Sequence, residues 1–293
     1  MDFTKYLNQQ IPRFYGGSNG NKKAIKLEDG TIYMLKFPPT NKDNKKISYT
    51  NSSISEYISC QIIKSMGIEV QDTILGKVIV DGKEKIVVAC KDFTQNGEKL
   101  YEFAMVKNGC IGSSNNGYGT ELQTVLSAIE EQNIYNPIEL KKYFWDLFIL
   151  DSLLGNFDRH NGNWGFLVDE QEKIRVAPIY DCGSCLYPQL DDETIKEYLQ
   201  KPKELEARVY VFPNSSLKEN EQKINYYDYI SSLKNEDCNQ ALIRIYQKID
   251  LNRINEIIDN TPYITNERKE FYKIMIQKRY EDIIQYSYEK LTK

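Results

Sequence analysis

The stretch Leu154-Gly-Asn-Phe-Asp158-Arg159-His160-Asn-Gly-Asn163-Trp-Gly-Phe-Leu-Val168, followed by Ala177-Pro-Ile-Tyr-Asp181-Cys-Gly183, decides how the rest of the chain is read. It sets an aspartate and an asparagine five positions apart in a loop after a long apolar helix pattern, and a second aspartate arrives behind a hairpin pattern. Transfer of a phosphoryl group from ATP needs such groups. One carboxylate takes the proton of the attacking hydroxyl, and an amide and a second carboxylate hold the metal that bridges the phosphates. The spacing from Asp158 to Asn163, with an Asp-x-Gly further on, is one that such catalytic loops use. A plain turn is the alternative, because Asp, Asn and Gly tolerate left-handed backbone. A calcium loop fits poorly, since its glycine position falls on Asn161 and its twelfth position on the apolar Leu167. The second aspartate, in matched order behind the first loop, favours catalysis.

Toward the N-terminus, residues 13–38 read as a glycine-rich turn flanked by strands: Arg13-Phe-Tyr-Gly16-Gly17-Ser18-Asn19-Gly20-Asn21-Lys22, then Thr31-Ile-Tyr-Met-Leu-Lys36-Phe-Pro38. Glycines let a loop approach phosphates and aim backbone N–H groups at them, and a lysine on the next strand supplies a point charge. By itself this pattern matches neither a P-loop nor a full G-x-G-x-x-G, and a bare hairpin reads equally well. Lys36 is also readable as a solvent-facing residue on an edge strand. Residues 52–66 carry Ile54, Ile58, Ile62 and Met66 on one stripe, which predicts a helix stopped by Gly67. On that helix Glu56 either pairs with Lys36 or is solvated. Strands are expected over 73–80 and 85–90, joined by Asp81-Gly82, a strong hairpin signal.

Beyond residue 119 the pattern is helical. Residues 120–132 are amphipathic, and Asn136-Pro137 is an N-cap followed by proline at the first helical position. The next helix aligns Leu140, Tyr143, Phe144, Leu147, Phe148 and Leu154 toward a core, with Asp151 on the same stripe. A carboxylate there needs partners, so Asp151 is read as a structural brace. Residues 163–180 predict a hairpin that delivers Asp181 beside the first loop. After Leu190, helices are expected over 222–233, 239–249, 251–259 and 266–288.

The 293 residues suffice for one large domain or two lobes, and a formal charge of −4 points neither to a nucleic-acid groove nor to an anionic membrane. Six scattered cysteines suit reduced thiols, with a zinc or redox role for Cys182 and Cys185 the lesser reading. No run approaches the ~20 apolar residues of a membrane span, and the start lacks a signal-peptide pattern. A soluble, cytoplasmic protein is expected, without direct nucleic-acid or membrane contact.

At these residues the chain resembles the HipA-like serine/threonine kinases, known from bacterial toxin–antitoxin modules and from related cell-translocating kinases. The matching elements are Tyr15-Gly-Gly-Ser-Asn-Gly, Met34-Leu-Lys36-Phe-Pro, Ser55-Glu56-Tyr, the hinge-like Val88-Ala-Cys-Lys-Asp-Phe93, the Asp158-Arg-His-x-x-Asn163 loop and Ala177-Pro-Ile-Tyr-Asp181. The resemblance implies an α+β, two-lobed, protein-kinase-like fold, with a β-rich lobe over 1–93 and a helical lobe over 94–293. It implies ATP and magnesium as cofactors and a protein serine or threonine as acceptor, with an antitoxin partner that in the short form of the family is either present, differently arranged or absent.

By position, Asp158 would be the base, Asn163 and Asp181 the metal ligands and Lys36 the phosphate ligand. Gly16, Gly17, Ser18, Asn19, Gly20, Glu56, Ala89 and Lys91 would complete the nucleotide site, and Ser18 would be open to autophosphorylation. His160 is readable as an alternative base or, preferably, as a residue that orients its neighbours. The glycine-rich loop begins within twenty residues of Met1, so the chain resembles the short form of the family. The same Asp-Arg-His-x-x-Asn pattern occurs in phosphoinositide kinases, which keeps a lipid or small-molecule acceptor as the alternative. A pseudokinase is a third reading, disfavoured by Lys36, Asp158, Asn163 and Asp181 being present together.

Overall fold

The computed structural model describes residues 1–13, 15, 22–38, 50–94, 97–112 and 115–293. Gly16, Gly17, Ser18, Asn19 and Gly20 lie outside the described residues.

The small lobe is built on a four-stranded antiparallel sheet in the order β1-β2-β4-β3. Its strands are β1 (Lys22–Lys26), β2 (Ile32–Lys36), β3 (Thr73–Val80) and β4 (Lys83–Lys91). Asp81 and Gly82 both take positive φ (52° and 72°), the type I′ geometry that matches the twist of the flanking strands. Helix α1 (Ser52–Ser65) lays Ile54, Ile58 and Ile62 against Leu75, Val88 and Cys90 on one face of the sheet. On the opposite face Phe3, Tyr6, Ile25, Leu35, Val87 and Ala89 form a second core. The N-terminal segment closes that face: Phe3 N–H donates to the Lys77 carbonyl at 2.8 Å and Lys77 N–H to the Met1 carbonyl at 2.9 Å. Gly76 permits the approach, since a Cβ there would lie 2.4 Å from the Met1 carbonyl oxygen.

Two further elements, β5 (Lys99–Glu102) and α2 (Phe103–Ile111), are announced by no periodicity. In α2 Phe103 and Ala104 are buried, but Lys107 is buried with them while Met105 is 57% exposed. β5 pairs with β6 (Gly165–Val168), which pairs with β7 (Ile174–Val176). Gly165 is needed there, because a Cβ would sit 2.2 Å from the Tyr101 carbonyl oxygen.

The large lobe packs α3 (Leu122–Glu131) and α8 (Glu236–Tyr246) around α4 (Pro137–Leu154). From Leu147 to Leu154 every residue of α4 is buried, as expected of a helix at the centre of its lobe. Asn136 caps α4 by accepting from Ile138 N–H and Glu139 N–H. The remaining helices are α5 (Asp192–Leu199), α6 (Pro202–Tyr210), α7 (Tyr226–Ser232), α9 (Leu251–Asp259), α10 (Asn266–Arg279) and α11 (Tyr286–Thr292), with a π-helical turn, Tyr280–Gln285, joining the last two. The helix expected over 222–233 begins only at Tyr226. Before it, β8 (Lys218–Glu219) and β9 (Gln222–Lys223) form a hairpin whose tip residues, Asn220 and Glu221, both have positive φ. Asn225 then caps α7 by accepting from Asp228 N–H at 3.1 Å. Likewise Asn235 caps α8 at 2.9 Å from Cys238 N–H, starting that helix before residue 239. Among the described residues no helix is long and apolar enough to cross a membrane.

Candidate active site

The catalytic-type loop starts where α4 stops. Gly155 takes φ +66°, and a Cβ there would meet Pro213 at 2.9 Å, so the turn is tight against the 210–216 segment. Asp151, near the end of α4, is the pivot of the loop. Its carboxylate accepts from Asn156 Nδ2 at 2.9 Å, Arg159 Nε at 3.0 Å and Arg159 Nη2 at 3.2 Å. Arg159 in turn donates to the Asn163 carbonyl at 2.9 Å and to the Tyr180 carbonyl. One buried guanidinium thus ties the end of the helix, the end of the loop and the residue before Asp181 together. Burial pushes the Asp151 carboxyl up, against the pull of Arg159. Burial likewise disfavours the Arg159 charge, and Asp151 overrides it. Asp151→Ala is therefore expected to leave a buried guanidinium without its counter-charge, costing about 3 kcal/mol or more and lowering the melting temperature by roughly 5 °C or more. Thermal unfolding of the variant beside the wild type checks this, and an unchanged midpoint would exclude the brace.

Within the loop, Asn163 Nδ2 donates to the Asp158 carbonyl at 2.8 Å, and Asp158 N–H donates to Asn156 Oδ1 at 3.0 Å. Among the described residues none donates to the Asp158 carboxylate, which opens into the cleft. Burial raises its pKa above the usual aspartate value; the His160 ring opposes the rise and Asp181 adds to it. His160 Nδ1 accepts from Gly162 N–H at 3.0 Å, so its ring is bonded to the loop's own backbone. The loop is pinned from outside as well: Ser216 Oγ donates to the Arg159 carbonyl at 2.6 Å and Tyr226 OH to the Asn156 carbonyl at 2.6 Å.

Asp181 comes from the strand-like exit of the β6–β7 hairpin. That exit bridges to the small lobe, Gln71 N–H donating to the Ile179 carbonyl at 2.8 Å and Ile179 N–H to the Glu69 carbonyl at 3.0 Å. Lys36 Nζ lies 2.9 Å from Glu56 Oε2 and 3.0 Å from Asp181 Oδ1. The other Glu56 oxygen accepts from Cys182 N–H at 3.0 Å. The triangle joins β2, α1 and the Asp181 turn through charge-assisted bonds. Lys36 lowers the Asp181 carboxyl to about 2 despite burial. Burial works against the Lys36 charge, but the two carboxylates override it and raise its pKa.

Lys36, Glu56, Asp158, His160, Asn163 and Asp181 line one cleft of about 1270 Å³ between the lobes. Ala89 and Lys91 do not, a correction to the nucleotide-site reading. Along β4 side chains alternate between faces, so Val88 faces the cleft while Ala89 is buried in the opposite core. Ala89 is also paired on both sides, with Leu35 and Ile74. Lys91 is exposed, its N–H is taken by the Asp72 carbonyl at 2.8 Å, and its carbonyl accepts from Gln71 Nε2 at 2.9 Å.

The hinge wall is instead made by Asp92, Phe93 and Thr94. Asp92 is held by Arg13 Nε at 2.6 Å, Tyr15 OH at 2.9 Å and Thr94 N–H at 2.9 Å. Nothing in the sequence links Arg13 to Asp92 across 79 positions. Glu102, at the end of β5, and Tyr118, in the turn between α2 and α3, are bonded at 2.7 Å and also line the cleft.

A small sheet with a lysine–glutamate pair, set over a helical lobe that presents Asp158, Asn163 and Asp181, is a kinase-type fold. A family model, the HipA-like C-terminal domain, matches residues 16–209. The chain therefore belongs to the HipA-like family. It is 48% identical over 286 residues to the serine/threonine-protein kinase CtkA of Helicobacter pylori, covering 97% of this chain and 86% of that protein. The crystal structure of a Helicobacter pylori proinflammatory kinase CtkA matches with a TM-score of 0.92 at 46% identity, over 100% of this chain and 97% of that one. HipA of Shewanella oneidensis, solved with HipB and operator DNA as a toxin–antitoxin system, shares the fold with a TM-score of 0.60 at 13% identity, over 96% and 69% of the two chains.

Proposed function

We propose that the protein is a HipA-like serine/threonine kinase that transfers the γ-phosphoryl group of ATP to protein hydroxyls, with magnesium as its metal. The observation that carries this reading is the Lys36 ammonium held 2.9 Å from Glu56 and 3.0 Å from Asp181, in the cleft onto which the Asp158 carboxylate opens. In this reading residues 1–93 are the small lobe and 94–293 the large one, with the hinge at 92–94.

The residues present fit the nucleotide and the metal. Asn163 spends its amide nitrogen on the Asp158 carbonyl, which leaves its oxygen for a cation, and Asp181 uses one oxygen on Lys36 and offers the other. One carboxylate, one amide oxygen and phosphate oxygens make a ligand set typical of magnesium. Bound there, magnesium would neutralise charge on the phosphates. Lys36 supplies a fixed positive charge for the phosphates, and Glu56 keeps it aimed into the cleft. Asp158 accepts the hydrogen bond of the acceptor hydroxyl, aligns it and takes its proton as it leaves. His160, bonded to Gly162 N–H, orients the loop. Partners are acceptor proteins. Free cysteines and a need for ATP suit the cytoplasm as the working compartment.

The test measures ADP release and phosphoserine plus phosphothreonine formation in one reaction with purified protein, magnesium, ATP and a protein acceptor. A one-to-one ratio is expected, and ADP without phosphoprotein would contradict the transfer.

A further inference from the structure

Gln71, in the turn that leads from α1 into β3, is buried and lines the cleft together with Val88, Asp92 and Phe93. Among the described residues its Oε1 has no hydrogen-bond partner, although the atom is buried. A buried carbonyl oxygen left unpaired is costly. In the wall of a cleft, the missing donor can come from what the cleft binds.

The orientation of that oxygen is fixed by its surroundings. Gln71 N–H donates to the Ile179 carbonyl at 2.8 Å, and the carbonyl of the next residue, Asp72, accepts from Lys91 N–H at 2.8 Å, so the backbone is held on both sides. Gln71 Nε2 donates to the Lys91 carbonyl at 2.9 Å. A carbonyl only accepts, so turning the amide over would set two oxygens against each other. Nε2 therefore stays on Lys91, and Oε1 remains an acceptor in need of a donor.

Gln71 belongs to the hinge end of the cleft. Its side chain reaches Lys91, the last residue of β4, beside the hinge at 92–94. Met34, Val88, Phe93 and Leu100 give the cleft the apolar walls that a flat base requires. Several backbone groups of the hinge are already spent within the protein: Asp92 N–H donates to the Ile32 carbonyl at 3.0 Å, and Thr94 N–H to Asp92 Oδ1 at 2.9 Å. Adenine carries an amino group, a donor, at the ring position where guanine carries a carbonyl, an acceptor. An unpaired acceptor held in one orientation suits the first and opposes the second.

We propose that Gln71 Oε1 accepts a hydrogen bond from the exocyclic amino group of adenine and so selects ATP over GTP. This rests on the cleft being an ATP site. A ligand without that donor leaves Oε1 unpaired, which corresponds to roughly a ten-fold or greater loss of affinity.

The experiment measures, by calorimetry with magnesium, the affinities of ATP, GTP and purine riboside triphosphate, which has hydrogen in place of the amino group. Wild type and Gln71→Leu are compared, with thermal unfolding as the folding control. Wild type is expected to bind ATP at least about ten-fold more tightly than either analogue. Gln71→Leu is expected to bind ATP and purine riboside triphosphate alike, whatever the loss of the Lys91 bond does to both. Equal affinity of wild type for ATP and purine riboside triphosphate would overturn the proposal, and that arm needs no variant to fold. An undiminished preference for ATP in Gln71→Leu would overturn it too, because Oε1 would then be served by a water. Wild type that binds no nucleotide would refute the ATP reading itself, whereas ATP binding without discrimination refutes only the role of Gln71.

Discussion

Asp158→Asn is expected to lower phosphoryl transfer by about a thousand-fold, within the range that general bases contribute, while ATP with magnesium still binds. The substitution keeps the shape of the side chain and removes only the charge proposed to hold and accept the hydroxyl proton. The loop's geometry does not depend on that carboxylate: the backbone of Asp158 makes the bonds to Asn156, His160 and Asn163. Binding should therefore survive, and the melting temperature should shift little. Single-turnover kinetics with calorimetric titration of Mg-ATP measure both halves. Near-normal transfer would remove Asp158 from the role, and lost binding with lost transfer would mean that it serves nucleotide docking instead.

Asp181→Ala is expected to weaken magnesium-dependent ATP binding by roughly a hundred-fold and to abolish measurable transfer, because the carboxylate proposed to hold the metal is gone. With its pKa held down to about 2 by Lys36, Asp181 is ionised throughout the neutral range and offers full charge to a cation. Its removal also takes one of two anions from Lys36, which keeps Glu56 at 2.9 Å. Titrating ATP with and without magnesium distinguishes the two contributions. The variant should lose most of the difference that magnesium makes, and an unchanged magnesium effect would make Asp181 only a partner of Lys36.

The juxtaposition of Asp158, Asn163 and Asp181 is legible in the sequence because it is local: the first two lie in one short loop, and a hairpin brings in the third. The sheet and α1 are legible because period-two and helical apolar patterns coincide with a strong turn signal at Asp81-Gly82. What remains open in the sequence is contact at long range. Lys36 and Glu56 carry the same patterns whether paired or solvated, and only the packing of α1 on the sheet decides. The Arg159 brace is half visible: a buried Asp151 demands a partner, but several polar residues nearby could serve. β5 and α2 leave no trace, since a four-residue strand pairs across more than sixty positions and a helix buries Lys107 while exposing Met105. Ala89 and Lys91 show the risk of copying positions without strand alternation, for each is one residue away from the face that meets the cleft.

The loop motif is shared by kinases with different acceptors, and the acceptor is therefore what most needs measuring. A bacterial lysate containing proteins and lipids, incubated with γ-labelled ATP, magnesium and the purified protein, separates the classes in one step. Label in acid-stable phosphoserine or phosphothreonine of proteins, absent with Asp158→Asn, is the expected result. Label confined to lipid or small molecules, or protein labelling equal in the two samples, would contradict it.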